Sequence, residues 1–169
     1  PRRCGPYAAK GYLQTKNEEA YANAFAPHYP DEERSAARPL KTTPCYGRMK
    51  DLGAVFGSVY GWERPGWFAP KGYGLTKEQL NCDDTLTNHN HAPPSEDGLI
   101  KEKWSFRRSN YFDHVGDECK AVMNSVGLQD MSAFAKMEVS GPGARDWLDS
   151  ILANKIPKKQ GRIALCHLL

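Results

Sequence analysis

The chain has 169 residues, 40 % hydrophobic and 25 % charged, and its 23 basic and 20 acidic side chains leave a net charge of +3. That length predicts one domain or slightly more, at roughly 150 residues per domain, and so balanced a charge calls for neither nucleic acid nor an anionic membrane as partner. No run approaches the ~18 apolar residues that a membrane helix needs. The five cysteines, each 37 or more residues from the next, form neither a disulfide nor a zinc framework; free thiols in a reducing compartment fit them better.

The first predicted element is a helix from Pro6 to about Ala26, with Tyr7, Leu13, Tyr21 and Phe25 as its large apolar residues and Pro27 and Pro30 ending it. Asp31 to Pro44 is charged and proline-bearing and reads as a connector. Tyr46, Met49 and Leu52 share one helical stripe within Pro44–Gly53. Ala54 to Tyr60 reads as a strand. Gly61 to Phe68 reads as an ordered loop, because three aromatics stand among two glycines and a proline. Residues 71–103 are poor in aliphatics and read as a surface insertion, with a short helix at Thr76 to Leu80.

Order returns at Trp104. A helix is predicted from the N-cap Asp113 to Val126, with Val115, Cys119, Val122, Met123 and Val126 as its apolar face and Gly127 as its C′ glycine. Ala133 to Val139 alternates as a strand. Gly141-Pro142-Gly143 turns the chain into a second helix striped by Ala144, Trp147, Leu148, Ile151 and Leu152. A last strand is predicted from Ile163 to Leu169. The three lysines between Lys155 and Lys159 read as a solvated loop. Helices and strands in this order indicate a mixed α+β fold. The chain starts at Pro1 and stops inside a predicted strand, so an internal piece of a longer protein is expected.

Several residues carry candidate chemistry, each beside a plainer reading. Cys82, His89 and His91 are zinc-type donors, but a structural site takes four ligands, and a polar insertion accounts for them. His114 and Asp117 stand at i, i+3 on one helix, as an acid/base pair or as ordinary first-turn polar residues. Trp62, Trp67 and Phe68 could line a pocket for a planar ligand or fill a core. His167 shares a strand face with Ile163 and Leu165. Neither a GxGxxG nor a GxxxxGK[ST] loop occurs, so no phosphate cradle of those kinds is encoded.

Three stretches carry a resemblance. Leu52 to Pro65 (LGAVFGSVYGWERP) resembles the opening motif of the glycine-cleavage T-protein family. Val126 to Pro142 resembles its "VG-x-x-D-x-S" turn, strand and "GP", and Gly161 to Leu165 its following strand. Three further stretches, Glu32–Pro44, Trp62–Pro70 and Ser105–Phe112, are similar instead to fused enzymes of the dimethylglycine/sarcosine dehydrogenase type. These join a flavin-dependent oxidoreductase to a T-protein-like folate-binding half. The resemblance implies that residues 1–40 end the FAD-oxidoreductase central domain. Residues 41–169 then begin the folate-binding domain.

The implied activity is FAD-dependent oxidation of an N-methyl amine, with the one-carbon unit passed to tetrahydrofolate. A free-standing aminomethyltransferase-like folate-binding protein is the alternative. The implied partners are a small N-methyl amine and the rest of the parent chain, with no nucleic acid and no membrane. The implied location is the mitochondrial matrix in a eukaryote or the cytoplasm in a bacterium. Carried over position by position, the folate side falls on Phe134, Glu138 and Leu165. Leu165 stands where the family has tyrosine, Glu138 is also of a different type, and Ala133 replaces a histidine. No catalytic residue and no metal ligand is carried over. FAD and tetrahydrofolate are expected in the parent, and neither is expected to bind these 169 residues tightly.

Overall fold

Residues 5–76, 96 and 98–168 are described in the computed structural model of the chain. They fall into two units, Pro1–Ala133 and Phe134–Leu169. Together they contain helices and one two-stranded sheet, a mixed α+β composition. The helix predicted at Thr76 to Leu80 and the Cys82, His89 and His91 donors lie outside the described residues, Thr76 excepted.

The first unit opens with a 3-10 turn, Gly5–Ala8, and helix α1, Lys10–Ala22. Leu13, Tyr21 and Phe25, among the large apolar residues of the predicted helix, are all exposed, Phe25 completely. The half-buried stripe is instead Tyr12, Lys16, Glu19 and Asn23. Its attachment is polar. Glu19 accepts the Ala36 backbone N–H at 2.8 Å and pairs with Lys16 at 2.8 Å. A partner for a backbone amide outweighed apolar spacing here, because an amide left unpaired inside the connector costs ~1–3 kcal/mol.

Helix α2, Tyr46–Asp51, leads into an antiparallel hairpin of β1, Ala54–Val59, and β2, Trp62–Phe68. The expectation of a loop at Gly61–Phe68 is therefore corrected. The residues that suggested a loop are a bulge. Val55 pairs with Trp67 and Phe56 with Pro65, so Gly66 is the extra residue beside a proline that has no N–H to give. Tyr60 and Gly61 make the hairpin turn, both at positive φ, as a two-residue type I′ turn requires. Lys41 extends the hydrogen bonding beyond β2. Its N–H donates to the Gly61 carbonyl and its carbonyl accepts from the Glu63 N–H, both at 2.9 Å.

Trp67, Trp104, Ile100, Ala54 and Ala69 are the buried apolar residues. Leu75 and Ile100 exchange backbone hydrogen bonds at 2.8 and 3.0 Å. Part of the stretch read as a surface insertion thus packs into the unit.

Helix α3, Phe112–Asn124, has Tyr111 rather than Asp113 at its N-cap, and Asp113 lies in its first turn. Only its first two turns face inward, through His114, Val115 and Glu118. Val122, Met123 and Val126 of the expected apolar face are exposed. Gly127 does not act as a left-handed C′ glycine: the cap is Ser125, and positive φ occurs elsewhere.

In the second unit, helix α4, Ala144–Ile151, starts from Gly143 at φ 76. Arg145 donates to the Ile156 and Pro157 carbonyls at 3.0–3.1 Å, and Asp149 accepts the Ile156 N–H at 2.9 Å. The predicted strand Ala133–Val139 is irregular, and the predicted terminal strand is reduced to one bridge between Leu152 and Leu168. A strand persists only where a neighbour takes its hydrogen bonds, and the described residues of this unit supply only that bridge.

Gly53 tests the hairpin's footing. It sits at φ +92 just past α2, its carbonyl accepts from Ala69, and an added Cβ would run into the buried Ala69 carbonyl. Gly53→Ala in the intact protein is expected to cost at least about 3 kcal/mol. Gly72→Ala, at φ +77 in open space, should cost about 1–2 kcal/mol. Guanidinium unfolding curves separate the two; equal losses would show that the Ala69 contact is unimportant.

Candidate functional site

The polar residues of the first unit converge on Arg38. Its guanidinium makes a forked pair with Glu63, Nε to Oε1 at 3.0 Å and Nη2 to Oε2 at 2.7 Å. Nη2 also donates to the Phe56 carbonyl at 2.7 Å, and Nη1 lies 3.4 Å from Glu33. Glu63 is only 3 % exposed. Burial works against the charge on Arg38, but the hydrogen bonds and charge of Glu63 outweigh it and hold the guanidinium protonated. Glu33 reaches the hairpin as well, accepting the Ser58 N–H at 3.2 Å.

An aromatic cluster lies beside this pair. Trp67 stacks on Tyr111 and His114, with centroids at 5.2 and 5.7 Å, and meets Tyr73 edge-on at 5.5 Å. Asn110 holds the cluster's polar rim. It donates to Tyr73 Oη at 2.8 Å and the Lys101 carbonyl at 3.0 Å, and accepts the Lys103 N–H at 2.9 Å.

Glu102 is half-buried against the same cluster. Burial raises its pKa, the Trp67 indole opposes this, Glu33 adds to it, Arg38 opposes it and Asp31 adds again; the net push is up to about 7. The Trp67 Nε1 makes no hydrogen bond of good geometry, so the indole offsets only part of the burial.

The remaining candidates separate. His114 turns inward to stack, whereas Asp117 is exposed and pairs with Lys120 at 2.9 Å. The acid/base pair is therefore not assembled. Trp67 fills the core, Phe68 is partly exposed, and Trp62 lies under the Lys41 ammonium at 5.6 Å. His167 is exposed, and no group of three metal-type ligands occurs among the described residues. Phe134, Glu138 and Leu165 all belong to the second unit and are exposed, Leu165 at 93 %. They lie on segments without regular structure, and their exposure leaves none of them in an enclosed cradle.

A groove of about 1050 Å³ runs between α1, the connector and the hairpin turn, walled by Tyr7, Tyr12, Leu40 and Tyr60. Lys16 on its rim is committed to Glu19, and Lys41 to the Tyr60 carbonyl and the Tyr7 ring. Among the described residues no strand passes through a glycine loop into a helix N-terminus, the arrangement that holds a dinucleotide pyrophosphate. The described residues thus lack that cradle for the pyrophosphate of FAD.

Residues 45–169 match the family described as GCVT N-terminal domain. The chain belongs to that family. Residues 1–43 match the FAD dependent oxidoreductase central domain. Dimethylglycine dehydrogenase of Rattus norvegicus, a mitochondrial protein, is 32 % identical over 100 % of this chain and 17 % of its own length. The 4-methylaminobutanoate oxidase (formaldehyde-forming) of Paenarthrobacter nicotinovorans is 33 % identical over 80 % of this chain and 13 % of its own. Human sarcosine dehydrogenase, also mitochondrial, is 28 % identical over 86 % and 16 %. The chain thus spans less than a fifth of the length of these relatives.

With the two matches laid on the structure, the GCVT-family hairpin receives Arg38 from the central-domain segment. The family's "D-x-S" turn also gains a structural role. Asp130 accepts the Ser132 N–H at 2.9 Å and the buried Thr43 hydroxyl at 2.5 Å. Motif reading singled out the stretches that hold Arg38, Glu63 and Asn110 but assigned these residues no role. A charged residue inside an aromatic motif was the available signal, and only the fold supplies its partner.

Glu102 yields a pH prediction. Its folded pKa lies above the ordinary 4.5, so its contribution favours folding below that value and is lost as pH rises through about 7. Stability in the intact protein is expected to fall by up to roughly 3 kcal/mol from this group across that window. Glu102→Gln should flatten the decline. Unfolding midpoints at pH 5 and 8 measure it, and an unchanged slope in the variant would contradict the assignment.

Proposed function

We propose that the chain is an internal piece of a fused enzyme that oxidises an N-methyl amine and passes the one-carbon unit to tetrahydrofolate. Residues 1–40 would end its oxidoreductase central domain, and residues 41–169, with an insertion at about 71–103, would begin its folate-binding domain. The observation that carries this reading is the adjacency, in one chain, of the central-domain match at 1–43 and the GCVT match at 45–169. A relative with the same order across the whole chain, dimethylglycine dehydrogenase, supports it. The substrate class proposed is a small N-methylated amino acid, which the names of all three relatives share.

In the complete protein, flavin supplies the oxidation when bound, and it is held outside these residues. The contribution proposed for this chain is structural on the oxidase side and ligand-facing on the folate side. Phe134, Glu138 and Leu165 remain the proposed folate-side positions. Their exposure leaves them accessible to a ligand or to further polypeptide. Leu165 can give only an apolar wall, with no side-chain hydrogen bond to offer. A mitochondrial location is proposed for a eukaryotic parent, as in the mammalian relatives, and a cytoplasmic one for a bacterial parent.

Anaerobic mixing of the purified complete protein with dimethylglycine, sarcosine or 4-methylaminobutanoate tests the reading. Bleaching of the flavin absorbance by at least one of them is expected, with methylenetetrahydrofolate formed when tetrahydrofolate is added. A complete protein that carries no flavin, or whose flavin none of the three reduces, would contradict it.

A further inference from the structure

We propose that the groove between α1, the connector and the hairpin turn binds a small carboxylate on an aromatic or branched apolar body, with Lys41 meeting the carboxylate and Tyr12 and Tyr60 the body. The groove lies within the first unit. Its volume of about 1050 Å³ matches the upper end of small-molecule sites, ~300–1000 Å³. The site is separate from the amine oxidation proposed above and needs neither flavin nor folate.

Charge selects the ligand. The side chains that line the groove include Lys16, Arg38 and Lys41 and no carboxylate. Glu19 answers Lys16, and Glu63 with Glu33 answers Arg38. Among the described residues no carboxylate pairs with Lys41. Its ammonium donates to the Tyr60 carbonyl at 3.1 Å and lies 4.9 Å from the Tyr7 ring centre and 5.6 Å from that of Trp62. Ring faces and a carbonyl hold a cation in place without neutralising it, and one such bond uses one of the ammonium's three donors. A single unanswered ammonium fits a monoanion. A phosphate dianion calls for an arginine fork or a helix N-terminus, and the Arg38 fork is already taken by Glu63.

The walls select the body. Tyr7 and Tyr12 stand at right angles with ring centroids 5.6 Å apart, and Leu13 and Leu40 continue the apolar surface. Tyr60 completes the rim, and packing does not account for it. It is 89 % exposed and sits at φ 51 in the first position of the two-residue turn, where asparagine or glycine is the unstrained choice. A tyrosine there is strained and buries almost nothing, which is the mark of a side chain kept for a ligand.

Titration calorimetry of the complete protein with phenylpropionate and its neutral amide, phenylpropionamide, tests the site in wild type, Lys41→Met and Tyr60→Asn. Lys41→Met keeps the stem and the backbone hydrogen bonds and removes the charge. Tyr60→Asn suits the turn and removes the ring. The carboxylate is expected to bind wild type with a Kd of about 1 mM or below, at least about tenfold more tightly than the amide. Lys41→Met should weaken the carboxylate about tenfold or more and leave the amide unchanged. Tyr60→Asn should weaken both probes about threefold or more, with an unfolding midpoint no lower than that of wild type. The ratio of carboxylate to amide in wild type carries the test if Lys41→Met fails to fold. An amide that binds as well as the carboxylate overturns the proposal, as does carboxylate binding undiminished in both variants. So does a wild-type protein that binds neither probe, the outcome if further polypeptide fills the groove. A midpoint lowered in Tyr60→Asn in step with weaker binding marks a packing residue and also overturns it.

Discussion

The forked pair between Arg38 and Glu63 is the contact on which the first unit depends. Glu63 sits in β2 at 3 % exposure, and a carboxylate there is tolerable only with a cation within hydrogen-bond reach. Removing one member of such a pair costs about 3–5 kcal/mol, chiefly by stranding the other charge. The pair therefore requires the connector to lie across the hairpin. Ala37 at φ 56 and the Lys41 backbone bonds follow that path. The hairpin in turn places Trp67, and Trp67 organises Tyr73, Tyr111 and His114 around it.

This arrangement gives the family motifs a physical meaning. The stretches that resemble the fused enzymes, Glu32–Pro44, Trp62–Pro70 and Ser105–Phe112, contribute respectively Arg38, Glu63 with Trp67, and Asn110 with Tyr111. They meet in one polar and aromatic centre. They build the junction between the segment matched to the central domain and the GCVT-family hairpin, and none of them is placed as a reacting group. The proposed ligand-facing positions lie in the other unit.

Much of the local structure was legible from the sequence. The helices at 46–51, 112–124 and 144–151 fell where stripes and turn residues put them, because spacing and backbone breakers act locally. The errors came from long-range partners. Tyr21 and Phe25 are among the large apolar residues of the predicted first helix, yet both are exposed, and α1 attaches through Glu19 to the Ala36 amide seventeen residues away. Gly66 and Pro65 read as loop, yet they form a bulge against Val55 and Phe56. Asp113 had the right chemistry for a cap but lies two residues past the actual N-cap, Tyr111. The folate-side positions came from family resemblance alone, and no spacing in the chain points to them.

The central claim is that Arg38 and Glu63 act as one unit across the two family segments. A double-mutant cycle with Arg38→Gln, Glu63→Gln and both together, read by chemical unfolding of the intact protein, tests it most directly. The account predicts a coupling of about 2 kcal/mol or more, with the double variant less damaged than the sum of the single ones. Losses that add to within about 0.5 kcal/mol would contradict it.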